Sequence, residues 1–103
     1  MKMLRLFKVM SIKNYRDIFE KKWNDNRGRC EVCGVPLSGK QPQLAHRIAK
    51  KKMWIAKYGA EVIDHEMNLA LVCSLQCNSA VLIDMKDLPR EELAEKIKTE
   101  IKK

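Results

Sequence analysis

At 103 residues the chain has room for one hydrophobic core and no second. It is 46% hydrophobic and 33% charged, an ordinary globular balance, and no stretch approaches the length of a membrane span. Its net charge of +8 argues for a polyanionic partner. The excess is uneven: residues 1–29 carry nine Lys/Arg against Asp17, Glu20 and Asp25, residues 32–60 hold no acid at all, and residues 84–103 are balanced.

Lys2, Arg5 and Lys8 interrupt the amino-terminal residues too often for the apolar stretch of an export signal. With four cysteines in two close pairs, this predicts a reducing, cytoplasmic setting. Residues 11–23 then predict an amphipathic helix. Ile12, Tyr15, Ile18, Phe19 and Trp23 recur mostly at three- and four-residue steps, Ser11 stands at the cap, and the polar run ending in Gly28 stops it. The first cysteine pair, Cys30 and Cys33, follows with Gly34 behind it, where a positive φ lets backbone amides turn toward sulfur. Pro36, Gly39 and Pro42 predict a loop, and residues 43–49 a short strand carrying His46.

Met53, Trp54, Ala56 and Lys57 suggest a helical turn or two ending near Gly59, and residues 60–64 are expected to be extended. Residues 69–73 form a short apolar run suited to a buried strand, leading into the second pair, Cys73 and Cys77. Residues 78–84 predict a short helix started by Asn78 or Ser79. The last element is a well-marked helix from about residue 88 to 103. It has Pro89 and Glu91–Glu92 in its first turns, a stripe of Leu93, Ala94, Ile97 and Ile101, and a Glu92–Lys96 pair.

Two short-spaced cysteine pairs suit a tetrahedral zinc site, and four thiolate ligands (Cys30, Cys33, Cys73 and Cys77) imply a closed, structural one. The loop that such a site closes contains His46, with Asn68 before the apolar run and Asn78 directly after Cys77.

Cys-x2-Cys, then Ala45-His46-Arg47-Ile48, then Asn68-Leu-Ala-Leu-Val-Cys73, then Cys77-Asn78 resembles the pattern of HNH endonucleases in its asparagine-ending form. The likeness covers residues 30–84, about half the chain. It implies an α+β fold: a small zinc-stabilised ββα-metal core over residues 30–84, flanked by the helices at 11–23 and 88–103, in one domain over residues 1–103. It also implies roles. His46 would be the general base that takes a proton from the attacking water, a task suited to an imidazole. Asn68 would fix the loop and orient His46. Asn78 would help hold Mg²⁺ or another divalent cation. Arg47, Lys50, Lys51, Lys52 and Lys57 would grip the nucleic-acid backbone.

The chain departs from that pattern at Ala45, where many such enzymes place an Asp or His as metal ligand, and its second cysteine pair has one extra residue. Asp64, His65 and Glu66 are the nearby groups able to replace the ligand. The partner so implied is DNA, with RNA as the alternative, and a second copy of the chain would serve cleavage of both strands. Two other readings remain: a non-catalytic zinc module that binds nucleic acid, and a small protein-binding zinc domain whose charge serves solubility.

Overall fold

The computed structural model describes residues 15–103. Residues 15–25 form helix α1, whose predicted start at Ser11 and Ile12 lies outside the described residues, as do the basic positions Lys2, Arg5 and Lys8. There follow strand β1 (Gln43–His46), helices α2 (Lys52–Tyr58) and α3 (Ala60–Ile63), and a 3-10 turn (Glu66–Asn68). Strand β2 (Leu69–Val72) and helices α4 (Leu75–Ala80) and α5 (Asp87–Lys102) complete the order. The architecture is small α+β, and no helix among the described residues is long and apolar enough to cross a membrane.

β1 and β2 pair antiparallel, Gln43 opposite Val72 and His46 opposite Leu69. Every residue of β2 is buried, as its uninterrupted apolar run requires. The far edge of β2 is closed locally: the Glu31 amide donates to the Leu71 carbonyl (2.9 Å), and the Glu31 carboxylate accepts the Leu71 N–H. One small core, with Leu37, Ala45, Leu71 and Val81, lies between the sheet, α4 and the cysteine loop, with Phe19 and Trp23 of α1 against it. A second, with Ile48, Trp54, Tyr58, Ile63 and Ile97, lies where α2, α3 and α5 meet.

Several elements differ from the sequence expectation. Residues 60–63 are helical, not extended: Gly59 at φ 95° ends α2 and turns the chain, and its carbonyl accepts from Val62 and Ile63. An adjacent apolar pair such as Val62–Ile63 satisfies either periodicity, so the pattern alone did not decide it. The helix expected at 78–84 begins earlier, at Leu75, because the Ser74 hydroxyl accepts from the Cys77 amide and caps it. β1 stops at His46 rather than reaching residue 49. Ile48 leaves the ladder because the Asn68 side chain takes both of its backbone groups.

In α5 the buried face includes Ala94 and Ile97, while Ile101 is exposed and Arg90 is buried instead. The Arg90 guanidinium lies 4.4 Å from the Trp54 ring centre and donates to the Tyr58 hydroxyl at 2.8 Å. Glu91 receives Tyr58 Oη–H (2.7 Å) and Lys57 (2.9 Å), and these hold its carboxyl down at about 2. Among the described residues Glu92 and Lys96 form no ion pair; the pairs three residues apart are Asp87–Arg90, Glu95–Lys98 and Glu100–Lys103.

Candidate metal centre and histidine site

Cys30 and Cys33 stand on the loop after α1, Cys73 directly after β2, and Cys77 in the first turns of α4. The four Sγ atoms all lie within 4.8 Å of one another. Cys33 and Cys73 are 3.5 Å apart, and Cys73 and Cys77 3.8 Å. A tetrahedron with metal–sulfur bonds of about 2.3 Å has edges of about 3.8 Å, so the quartet is positioned to hold a Zn²⁺ ion. All four are free thiols, and the spacings are far longer than a disulfide.

The loop is shaped for the purpose. Gly34 has φ 77°, its amide reaches back to the Cys30 carbonyl (3.1 Å), and the Val32 amide donates to Cys30 Sγ (3.4 Å). Burial pushes the Cys30 thiol up, but amide donors at Cys33, Val32 and Cys73 outweigh it and bring it down to about 6. Cys77 is pushed up to about 12, by desolvation first and then by the neighbouring thiols of Cys33 and Cys73. A dication resolves that conflict, since bound thiolates are deprotonated outright.

His46 ends β1. Its Nε2 lies 3.2 Å from Oδ1 of Asp64, the residue that ends α3. Asp64 is further held by the Tyr15 hydroxyl, which donates to Oδ1, and by Lys50 Nζ at 3.2 Å from Oδ2. Lys50 also donates to the Tyr15 oxygen at 3.0 Å, closing the group. Burial raises the Asp64 carboxyl, but hydrogen bonds from Tyr15, His46 and Lys50 more than offset it and keep it below the ordinary carboxylate range. Lys50 is held above its ordinary value chiefly by Tyr15, and Tyr15 above its own chiefly by burial.

Asn68 is fully buried, and its side chain hydrogen-bonds to backbone rather than to the His46 ring or the Asp64 carboxylate. Its Nδ2 donates to the carbonyls of Ile48 (3.0 Å) and Ile63 (2.8 Å), and its Oδ1 accepts from the Ile48 amide (2.9 Å). Its own carbonyl accepts from Arg47 N–H at 2.8 Å. Ile48 lies two residues after His46 and Ile63 directly before Asp64. One carboxamide therefore pins the segments that carry both partners.

Asn78 lies elsewhere. Its Nδ2 donates to Gln43 Oε1 at 2.9 Å, at the opposite end of β1. Three residues along a strand is about 10 Å, and an odd step changes face, so Gln43 and Ala45 share one side of β1 and His46 lies on the other. Ala45 is buried in the smaller core. Among the described residues the cysteine quartet is the one grouping of three or more Cys, His, Asp or Glu able to hold a metal ion. His65, placed by sequence among the substitute ligands, uses Nδ1 to accept the Met67 amide (3.1 Å), and Glu66 pairs with Lys21 (2.8 Å).

The basic segment finds its acids in space. Lys50 pairs with Asp64, Lys51 with Asp84 (3.7 Å), Lys57 with Glu91, and Arg47 stands 3.9 Å from Glu31. Lys52 forms no ion pair among the described residues. The basic side chains of these pairs are partly exposed, and salt screens such pairs. The groove between α1 and α3 on the other side of Asp64 is lined by Asp17, Glu61 and Glu66 together with Lys21 and His65.

The sequence reading did not find Tyr15, Glu31 or Arg90 as working contacts. Tyr15 reads as part of a helix pattern, and neither Arg90 nor Glu31 is assigned a role. No protein-family model, curated protein or solved structure matches the chain.

Proposed function

We propose that the protein is a metal-dependent endonuclease of the HNH type, with a zinc-braced ββα-metal core, that hydrolyses DNA phosphodiester bonds with His46 as general base. The observation that carries this reading is the clamped imidazole: His46 sits at a strand end, partly exposed, beside Lys50, on backbone pinned by the buried Asn68. In the reaction a water oxygen bonds to phosphorus as the P–O bond to the leaving sugar oxygen breaks. His46 takes the water's proton, and Lys50 offsets charge on the phosphate. Zn²⁺ at the four cysteines braces the sheet and α4 and takes no part in the chemistry.

Asn78 is the residue the HNH resemblance assigns to a divalent ion. One neutral carboxamide already bonded to Gln43 is a poor site for a hard cation, which prefers several oxygens and at least one carboxylate. No step is therefore routed through Asn78. The same observation, with Ala45 buried, favours a second reading in which the chain is a zinc-containing nucleic-acid-binding module without catalysis.

Incubation with supercoiled plasmid and Mg²⁺, Mn²⁺ or Ni²⁺, beside a His46→Ala variant, separates the two. Nicking by the parent chain that drops about 100-fold or more in the variant is the expected result. Salt-sensitive retention of DNA with no nicking by either protein would establish the binding module instead.

A further inference from the structure

We propose that Asp64 is a positioning residue for His46, fixing the imidazole as its Nε2–H tautomer so that Nδ1 is the atom that accepts a proton. This inference rests on His46 being the working base; the tautomer itself does not depend on any activity. An ionised carboxylate only accepts hydrogen bonds, so a ring nitrogen 3.2 Å from Oδ1 must carry the proton of that contact. The other ring nitrogen is then the basic one, and Nδ1 has no hydrogen-bond partner among the described residues.

The carboxylate is not free to swing. Tyr15 donates to the same oxygen that faces His46, Lys50 holds the other, and Lys50 is bonded to Tyr15 in turn. Both backbone anchors, at Ile48 and Ile63, are tied to the one Asn68 side chain. Lys50 also balances the charge of Asp64.

A competing role for Asp64, as ligand to a divalent ion, fits less well. Both of its oxygens are engaged, and among the described residues it belongs to no group of three or more Cys, His, Asp or Glu able to hold a metal. The pattern is that of a working histidine whose second nitrogen is held by a carboxylate, a partner that sets ring orientation and basicity.

The chain has only two histidines, which makes the test direct. Long-range ¹H–¹⁵N correlation spectra of the full, metal-loaded protein, at a pH where both rings are neutral, distinguish pyrrole-type from pyridine-type nitrogens. His65 accepts the Met67 amide through Nδ1 and is itself an Nε2–H ring, so it serves as internal reference. The expected spectrum shows His46 as Nε2–H in the parent chain and as a tautomer mixture in Asp64→Ala, with His65 unchanged. A parent His46 found as Nδ1–H overturns the proposal whether or not the variant folds, and so do ring signals that Asp64→Ala leaves in place. In the plasmid assay Asp64→Ala is expected to lower kcat about 10–100-fold with little change in KM. A parent chain that never nicks DNA removes the nuclease reading alone, because the spectra decide the positioning role without nucleic acid.

Discussion

Leu37, Ala45, Leu71 and Val81 pack beside the cysteine quartet, whereas Trp54, Tyr58, Ile63 and Ile97 pack where α2, α3 and α5 meet. The first region has a core of mostly small and medium side chains, short strands, a six-residue helix and long stretches of loop. A metal held by the four thiolates would add stability there, with apparent energies of about 10–16 kcal/mol in comparable sites. The second region has two stacked aromatics and a sixteen-residue helix whose buried Arg90 lies over the Trp54 ring. The contrast teaches where the candidate site has to be. His46 and Asp64 stand at the seam, each on a strand or helix end, and Asn68, directly before β2 of the first region, bonds to Ile48 and Ile63 of the second.

The largest effect should come from removing the metal. A strong chelator, or Cys73→Ser, is expected to unfold the cysteine region first. Trp23 packs on that side and Trp54 on the other, so single-tryptophan variants report the regions separately by emission. Trp23 is expected to respond before Trp54; a simultaneous change would show the two regions to be one cooperative unit.

Asn68→Ala attacks the seam. It strands three buried backbone groups, at about 1–3 kcal/mol for each. Urea unfolding should show the lower midpoint, while zinc content stays at one per chain because no cysteine ligand is touched. Loss of zinc from this variant would mean the seam also holds the metal loop in place.

The smallest effect lies within the helical region and depends on pH. The Glu91 carboxyl sits at about 2 rather than at 4.5, held down by Tyr58 and Lys57. A depressed folded value contributes stability above pH 4.5, and that contribution is lost as pH falls toward about 2. The stability difference between the parent chain and Glu91→Gln, by urea melts at several pH values, should therefore be greatest near neutrality and vanish as pH approaches 2. A difference that stays constant would assign the effect to shape rather than charge.

How much of this was legible along the chain follows from the range of each interaction. The cysteine ligands are pairs separated by two and three residues, with chemistry few other arrangements serve, and their Sγ atoms do converge. The apolar run of β2 and the periodic face of α5 are local patterns too, and both elements are present. The start of α4 was misplaced because one serine hydroxyl, at Ser74, decides it. Residues 60–63 were misread because two adjacent apolar residues suit either a strand or a helix.

The candidate site shows the limit more sharply. His46 and Asn68 stand out from their neighbours as a lone imidazole and a lone carboxamide in apolar surroundings, and Asn68 is buried at the seam. Nothing along the chain says that Asp64, eighteen residues on, faces His46, or that Tyr15 comes back across forty-nine residues to hold it. Nor does the acid-free run of residues 32–60 announce that Asp64, Asp84 and Glu91 will meet its lysines. Local spacing determines which side chains can share a metal and which segments can bury a face. Which carboxylate meets which base, and which face of β1 Asn78 reaches, depends on how α1, α3 and α4 pack around the sheet, and only the folded chain settles that.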